Sequence, residues 1–266
     1  MNIVLWIGNA PNHIALANKI NKQFTISGIV IESRKVKGGS GLWLMLDKMF
    51  EKLFLSSIAN AWVKMQNFYT KNYPELPNCE KINVDQINSD EVYAFTTKYK
   101  PDLIIVSGTS LIKKKLLSIK PSKGILNLHT GLSPYIKGGP NCTNWCIATN
   151  QLQFIGNTIM WIDEGIDTGN LIRTESTKIS GEESLAELHI KVMEHAHTLY
   201  LDVIEKLFKD EICPNVPQDT IAKGKTYYTK DWRLKNKIAL VQNFKQFKKT
   251  VTGEIYKREL QKIKTV

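Results

Sequence analysis

Cysteine is scarce in this chain: Cys79, Cys142, Cys146 and Cys213 are the four in 266 residues, irregularly spaced. That density excludes a disulfide-stapled scaffold, and without a CxxC pair free thiols are expected. No apolar run approaches the roughly 18 residues of a membrane span. The opening MNIVLWIGNAPNHIALANKI has no basic segment before its apolar stretch and no small-residue cleavage site after it, so neither span nor signal is expected and the cytoplasm is the expected compartment. The first turn, GNAPNH, lacks the glycines of GxGxxG, and no NAD site is predicted. Acidic residues fall short of basic ones, 25 against 36, a formal charge of +11. Much of the excess lies in residues 209–266, with 14 Lys/Arg against 6 Asp/Glu. A basic tail attracts phosphate-bearing partners, whether nucleic acid, an anionic membrane surface or a nucleotide-linked small molecule. A merely solvated surface has the same composition.

What is present is enough apolar side chain, 42%, to build a core of one to two domains at ~150 residues each. IVLWIG, the helical spacing of Ile14, Leu16, Ala17 and Ile20, and the β-branched run over 24–33 read as strand, helix, strand, a βαβ unit of a parallel sheet. The fold class is therefore α/β. Residues 42–65 carry dense apolar positions without Pro or Gly and predict a long amphipathic helix or helix pair. Core or subunit-interface packing is expected there, because Asp47, Lys48, Glu51, Lys52 and Lys64 do not make the basic face of a membrane-surface helix. PDLIIVSG is apolar without alternation, as in a strand buried on both faces. LIKKKLLSIK reads as a short basic helix, GILNLH, FIGNTIMWID and NLIRTEST as strands, and about 182–209 as a closing helix. The weaker periodicity after 208 predicts a small appendage.

Asn127 and His129 sit two apart at a predicted strand end, so their side chains project to one side. An amide N–H and an imidazole N–H can both donate to the oxyanion of a tetrahedral intermediate. Asp167, in the loop EGIDTG, is positioned in sequence to hold the imidazole or relay a proton. A structural histidine and an ordinary turn would share this spacing. Cys142 and Cys146, four apart on NCTNWCIATN, lack further Cys or His at ligand spacing, so packing rather than a metal is expected. Surface or capping roles are expected for His189, His195 and His197.

ILNLHTGLSPYIKGG, followed by GNTIMWIDEGIDTGNLI, resembles the folate-dependent formyltransferases, whose pattern is Asn-x-His, a Leu-x-Pro loop, a Gly-Thr strand and an Asp in a glycine-rich turn. The resemblance is specific over about 100–175 and weaker over 1–100. It implies a Rossmann-like parallel sheet flanked by helices, with a formyltransferase catalytic domain over 1–208 and the basic appendage over 209–266. It further implies Asn127, His129 and Asp167 as the catalytic trio acting on 10-formyltetrahydrofolate, with no metal. Main-chain groups at Ser110, Leu111 and Ile112 and at Glu164, Gly165 and Ile166 would hold the pteridine. Gly8, Asn9 and Lys137 are candidates for the acceptor. Thr130, Gly131 and Ser133 depart from the usual His-Pro-Ser-Leu-Leu-Pro, and Lys137-Gly138-Gly139 replaces Arg-Gly, which bears on the acceptor more than on the donor.

Among acceptors, glycinamide ribonucleotide enzymes are shorter and methionyl-tRNA enzymes longer, with a second β-barrel domain. The chain is most similar to the enzymes that N-formylate nucleotide-linked amino-deoxy sugars, which implies a homodimer making a formamido sugar for a surface polysaccharide. GKTYYTKDW and residues 42–65 are candidates for the interface or the nucleotide pocket. A nucleic-acid partner is not expected. A formyltetrahydrofolate hydrolase and a pure binding protein are the other classes open to this sequence.

Overall fold

A computed structural model of the chain describes residues 1–34 and 49–266. The opening unit is β1 (Ile3–Gly8), α1 (Pro11–Asn21) and β2 (Ile26–Glu32). Then come α2 (Ser56–Asn72), β3 (Glu80–Val84), α3 (Asp90–Lys98), β4 (Leu103–Ser107), α4 (Lys114–Leu117) and β5 (Ile125–His129). β6 (Ile136–Gly138), α5 (Cys142–Ala148), β7 (Gly156–Trp161), β8 (Leu171–Ser176) and the long α6 (Leu185–Phe208) follow. The tail forms β9 (Lys225–Tyr227), α7 (Leu234–Phe244), α8 (Phe247–Thr252) and α9 (Glu254–Gln261).

Seven strands make one sheet in the order β3-β2-β1-β4-β5-β7-β8. It is mostly rather than wholly parallel: β7 runs against both β5 and β8. Residues 162–170 join β7 to β8 without the helical crossover that a parallel pair needs, which accounts for that pair; β7 opposes β5 even though β6 and α5 lie between them. Alternation along β1 explains why its sequence shows no polar face. Ile3, Leu5 and Ile7 pack with Leu16 and Ile20 of α1 and with Leu199 and Val203 of α6. Val4 and Trp6 pack on the opposite side with Val92 and Phe95 of α3 and Leu116 of α4. Both faces are covered, so every position is apolar.

α6 starts at a capping box, with the Ser184 hydroxyl accepting from the Glu187 amide and the Glu187 carboxylate accepting from the Ser184 amide. Its buried Tyr200 hydroxyl lies 3.1 Å from the Val106 carbonyl and 2.8 Å from that of Leu126, fixing the helix beneath the two strands that carry the site. His189 and His197 on α6 are buried, 4% and 1% exposed, which corrects the surface or capping role expected of them. Burial alone lowers the His189 pKa to about 4, so its ring is neutral and packs edge-on to Trp62 at 6.0 Å. His195 is partly buried, with Nε2 3.2 Å from Glu175 and Nδ1 2.9 Å from the Thr177 hydroxyl. All four cysteines are free thiols, Cys142 and Cys146 buried.

The amphipathic stretch expected over 42–65 is divided. Residues 42–48 lie outside the described ones; residues 49–54 are helical, Leu55 leaves helical geometry, and α2 runs on to Asn72. Ala61, Met65 and Tyr69 are buried, whereas Leu53 and Phe54 are each 65% exposed, with Trp62 and Val63 also turned outward. No helix among the described residues is long and apolar enough to cross a membrane.

The tail shares the body's core. Tyr227, Leu240, Phe247 and Val251 pack with Trp145, Cys146 and Leu188. β9 pairs with β6 in parallel, Gly138 opposite Tyr227. Gly138 has φ +88°, and a Cβ there would meet the Tyr227 carbonyl oxygen at 2.0 Å, so only glycine permits this seam.

Candidate active site

The pleat of β5 sends Asn127 and His129 to the same side, where both meet Asp167 from the β7–β8 loop. Asn127 Nδ2 donates to Asp167 Oδ1 at 3.2 Å. His129 Nδ1 lies 3.2 Å from Asp167 Oδ2, which also accepts from the Gly138 amide at 2.9 Å. Asp167 adopts φ +51°, a left-handed conformation that aspartate tolerates better than most residues. The loop is held from within by Asp163 Oδ1, which accepts from the Gly165 amide at 3.0 Å and the Thr168 hydroxyl at 2.6 Å. From the tail, Gln218 Nε2 donates to the carbonyls of Asp167 and Gly169, both at 2.8 Å.

A cavity of about 390 Å³ opens in front of Asn127 and Asp167. It lies at the carboxyl ends of the strands, beside the point where strand order reverses between β1 and β4, where α/β sheets place ligands. One wall is the Gly108–Ile112 loop together with Gly165 and Ile166. The opposite wall is Gly139 and Tyr227–Thr229. Ser110, Leu111, Ile112, Gly165 and Ile166 thus stand along one wall. Glu164 does not; it is on the rim, 4.0 Å from Lys114.

His129 stands behind the wall. Its Nε2 faces the Ile136 carbonyl at 3.2 Å and the Cys142 sulfur at 3.5 Å, and a Cβ at Gly131 would stand 2.7 Å away. The ring is therefore enclosed by protein on its Nε2 side and turns its Nδ1 to Asp167. Burial pushes the Cys142 thiol well up, so it remains a neutral S–H that donates to the Gly138 carbonyl at 3.4 Å. Gly8, Asn9 and Lys137 are not brought to the cavity. Gly8 packs against Gly108, Asn9 is exposed, and Lys137 lies on β6 opposite Thr226.

Several residues that support the site were not singled out from sequence. Glu32, 2% exposed, accepts from the Ile87 amide at 2.9 Å and the Ser110 amide at 2.6 Å, tying the β4–α4 loop to β2. A carboxylate ending an apolar buried strand was the available signal. Arg34, 3.6 Å from Glu32, lines the cavity and donates to the Gly108 carbonyl at 2.6 Å. Burial, helped by the Arg34 charge, lowers His13 to about 4, so its neutral ring donates from Nδ1 to the Ser107 carbonyl at 3.0 Å. That ring occupies the space a side chain at Gly108 would need. Among the described residues no group of three or more His, Cys, Asp or Glu is placed to hold a metal ion.

Fold and site together define an α/β protein whose ligand pocket carries an amide and a carboxylate at the strand ends. The formyl transferase family model matches residues 62–204, over half of the chain, and the chain belongs to that family. It is 35% identical over 218 residues to the methionyl-tRNA formyltransferase of Clostridium tetani, an alignment that takes in 81% of this chain and 62% of the relative. The chain thus spans less than two thirds of that relative. Its fold is like that of a sugar N-formyltransferase from Shewanella, with TM-score 0.58 and 14% identity over 91% of this chain and 88% of the other. It is also like that of an N-formyltransferase from Helicobacter canadensis in complex with folinic acid and dTDP-3-aminofucose, with TM-score 0.55 and 15% identity over 92% and 81%.

Proposed function

We propose that the protein is an N-formyltransferase that moves the formyl group of 10-formyltetrahydrofolate to the primary amine of a nucleotide-linked amino-deoxy sugar, acting as a cytoplasmic homodimer. The observation that carries this reading is the Asn127–Asp167 pair on the cavity wall, backed by His129. Asn127 spends one amide N–H on Asp167; the other is free to donate to a second oxygen. The neutral amine attacks the formyl carbon, a C–N bond forms, and the carbonyl electron pair moves to oxygen, where the free Asn127 N–H meets it. One such donor is worth about 10²–10³ in rate. The amine proton passes to Asp167, the bond from the formyl carbon to N10 breaks, and N10 takes a proton as tetrahydrofolate leaves. His129 acts through Asp167, holding its orientation from Nδ1. The loop 110–112 and the loop 164–167 hold the pteridine by main-chain groups, and the Tyr227–Thr229 wall faces the acceptor.

The methionyl-tRNA reading is favoured by one observation, the 35% identity to the Clostridium tetani enzyme. The test is incubation with 10-formyltetrahydrofolate and UDP- or dTDP-linked amino sugars, glycinamide ribonucleotide, methionyl-tRNA or no acceptor, with products followed by mass. Formylation of a sugar nucleotide supports the proposal. Formyl-methionyl-tRNA alone would replace the acceptor, and formate without amine consumed would make the protein a hydrolase.

A further inference from the structure

Beside the candidate active site lies a second, larger cavity of about 1160 Å³, formed between β9 and the first turn of α7. Tyr227 lines both cavities, so the second continues the acceptor wall of the first. Its lining is strongly cationic: Lys225, Lys230, Arg233, Lys235 and Lys237 face two carboxylates, Glu51 and Asp231. Glu51 is already taken by Lys237 at 2.6 Å, which leaves Asp231 against the other four.

The backbone adds to this potential. α7 begins beyond Arg233 with no side-chain cap and no acidic residue in its first turn. Leu234 to Lys237, which make up that turn, line the cavity. The Asn236 and Lys237 amides already donate to the Arg233 carbonyl, which leaves those of Leu234 and Lys235 and the partial positive charge of the helix end. Around it stand four cations without a carboxylate partner of their own among the described residues, Lys225 and Lys230 over the Tyr227 and Tyr228 rings and Arg233 with its Nε on the Lys230 carbonyl. Trp232, packed edge-on against Trp145 at 4.8 Å, supplies an aromatic surface in the same wall.

We propose that this groove binds the diphosphate of the acceptor nucleotide, with phosphate oxygens on Lys230, Arg233, Lys235 and the α7 amides, while the amino sugar reaches past Tyr227 to Asn127 and Asp167. The inference rests on the formyltransferase reading and deepens it, because it assigns the tail a role in choosing an anionic acceptor. A concave, cationic groove with an aromatic wall suits the diphosphate and base of a nucleotide, and RNA is the competing occupant that the test separates.

The experiment is equilibrium binding by calorimetry of UDP, dTDP, a short RNA hairpin and folinic acid to the full chain and to Arg233→Glu, Lys235→Glu and the remote surface variant Lys262→Glu. The expected result is binding of at least one nucleoside diphosphate, weakened at least tenfold in Arg233→Glu and Lys235→Glu and within twofold of the parent in Lys262→Glu, with folinic acid unaffected throughout. Binding of folinic acid but of neither diphosphate, diphosphate binding that ignores both groove variants, or hairpin binding in preference to diphosphate each overturns the groove assignment while leaving the donor site intact. Loss of folinic acid binding in the parent protein overturns the underlying formyltransferase reading instead.

Discussion

The two walls of the cavity are built in different ways. The wall made by Gly108–Ile112, Gly165 and Ile166 consists of loops leaving the main sheet, each tied to a neighbouring strand or loop: Ser110 to Glu32, Gly108 to Arg34, and Asp167 to Gly138. The wall made by Tyr227–Thr229 is borrowed from the tail and held by the short β6–β9 seam. The first is tied to a sheet covered on both faces; the second depends on one glycine and on a core shared with α5. Under the proposed function the sheet wall would serve the donor and the tail wall the acceptor.

Substitutions that break this comparison fall in order of size. Asn127→Ala removes the donor on the sheet wall, and formyl transfer is expected to fall about 10²–10³-fold in kcat/KM, measured with a saturating acceptor, while thermal stability changes little because Asn127 is only partly buried. Gly138→Ala attacks the borrowed wall. At φ +88° with the Tyr227 oxygen in the way, it is expected to cost about 2–3 kcal/mol of stability from strain and a lost seam, read by urea denaturation.

A third prediction concerns pH. His189 is buried with its pKa lowered from 6.5 to about 4, so the unfolded chain binds the proton more readily. Its stabilising contribution is whole above pH 6.5 and is lost as pH falls through 6.5 toward 4, by about 1.4 kcal/mol per unit. Buried His13 and His197 are lowered in the same direction, so unfolding below pH 6.5 is expected to show their slopes together with this one, and His189→Phe, which keeps a ring against Trp62, to remove the share of His189. An unchanged slope in that variant would remove His189 as its source. The smallest effect is at the capping box, where Ser184→Ala is expected to cost about 1 kcal/mol without altering transfer, since α6 supports both walls from its far side.

The difference between the walls also decided what could be read in advance. Parallel strands buried on both faces leave continuous apolar runs, so IVLWIG and LIIVS were legible, as was the projection of Asn127 and His129 from one strand. The reversal of β7 was not, because its link from β5 carries α5 and has the length of an ordinary helical crossover. Glu32 and Gln218 act over long sequence separations, through backbone amides and carbonyls that carry no residue signature. Local periodicity could not distinguish a buried His189 from an exposed one, since that depends on α2 packing across it. The tail's weak periodicity reflects short helices that bury few residues, Leu240 on α7, Phe247 and Val251 on α8 and none on α9.

On the proposed function, Asp167 takes the amine proton but does not hold the folate donor by its charge. Asp167→Asn keeps the shape of the side chain and the loop that Gln218 braces, so the decisive measurement is formyl transfer by this variant alongside its affinity for folinic acid. Transfer is expected to fall at least 100-fold, with folinic acid affinity within threefold of the parent. Transfer within tenfold of the parent, with affinity unchanged, would contradict it.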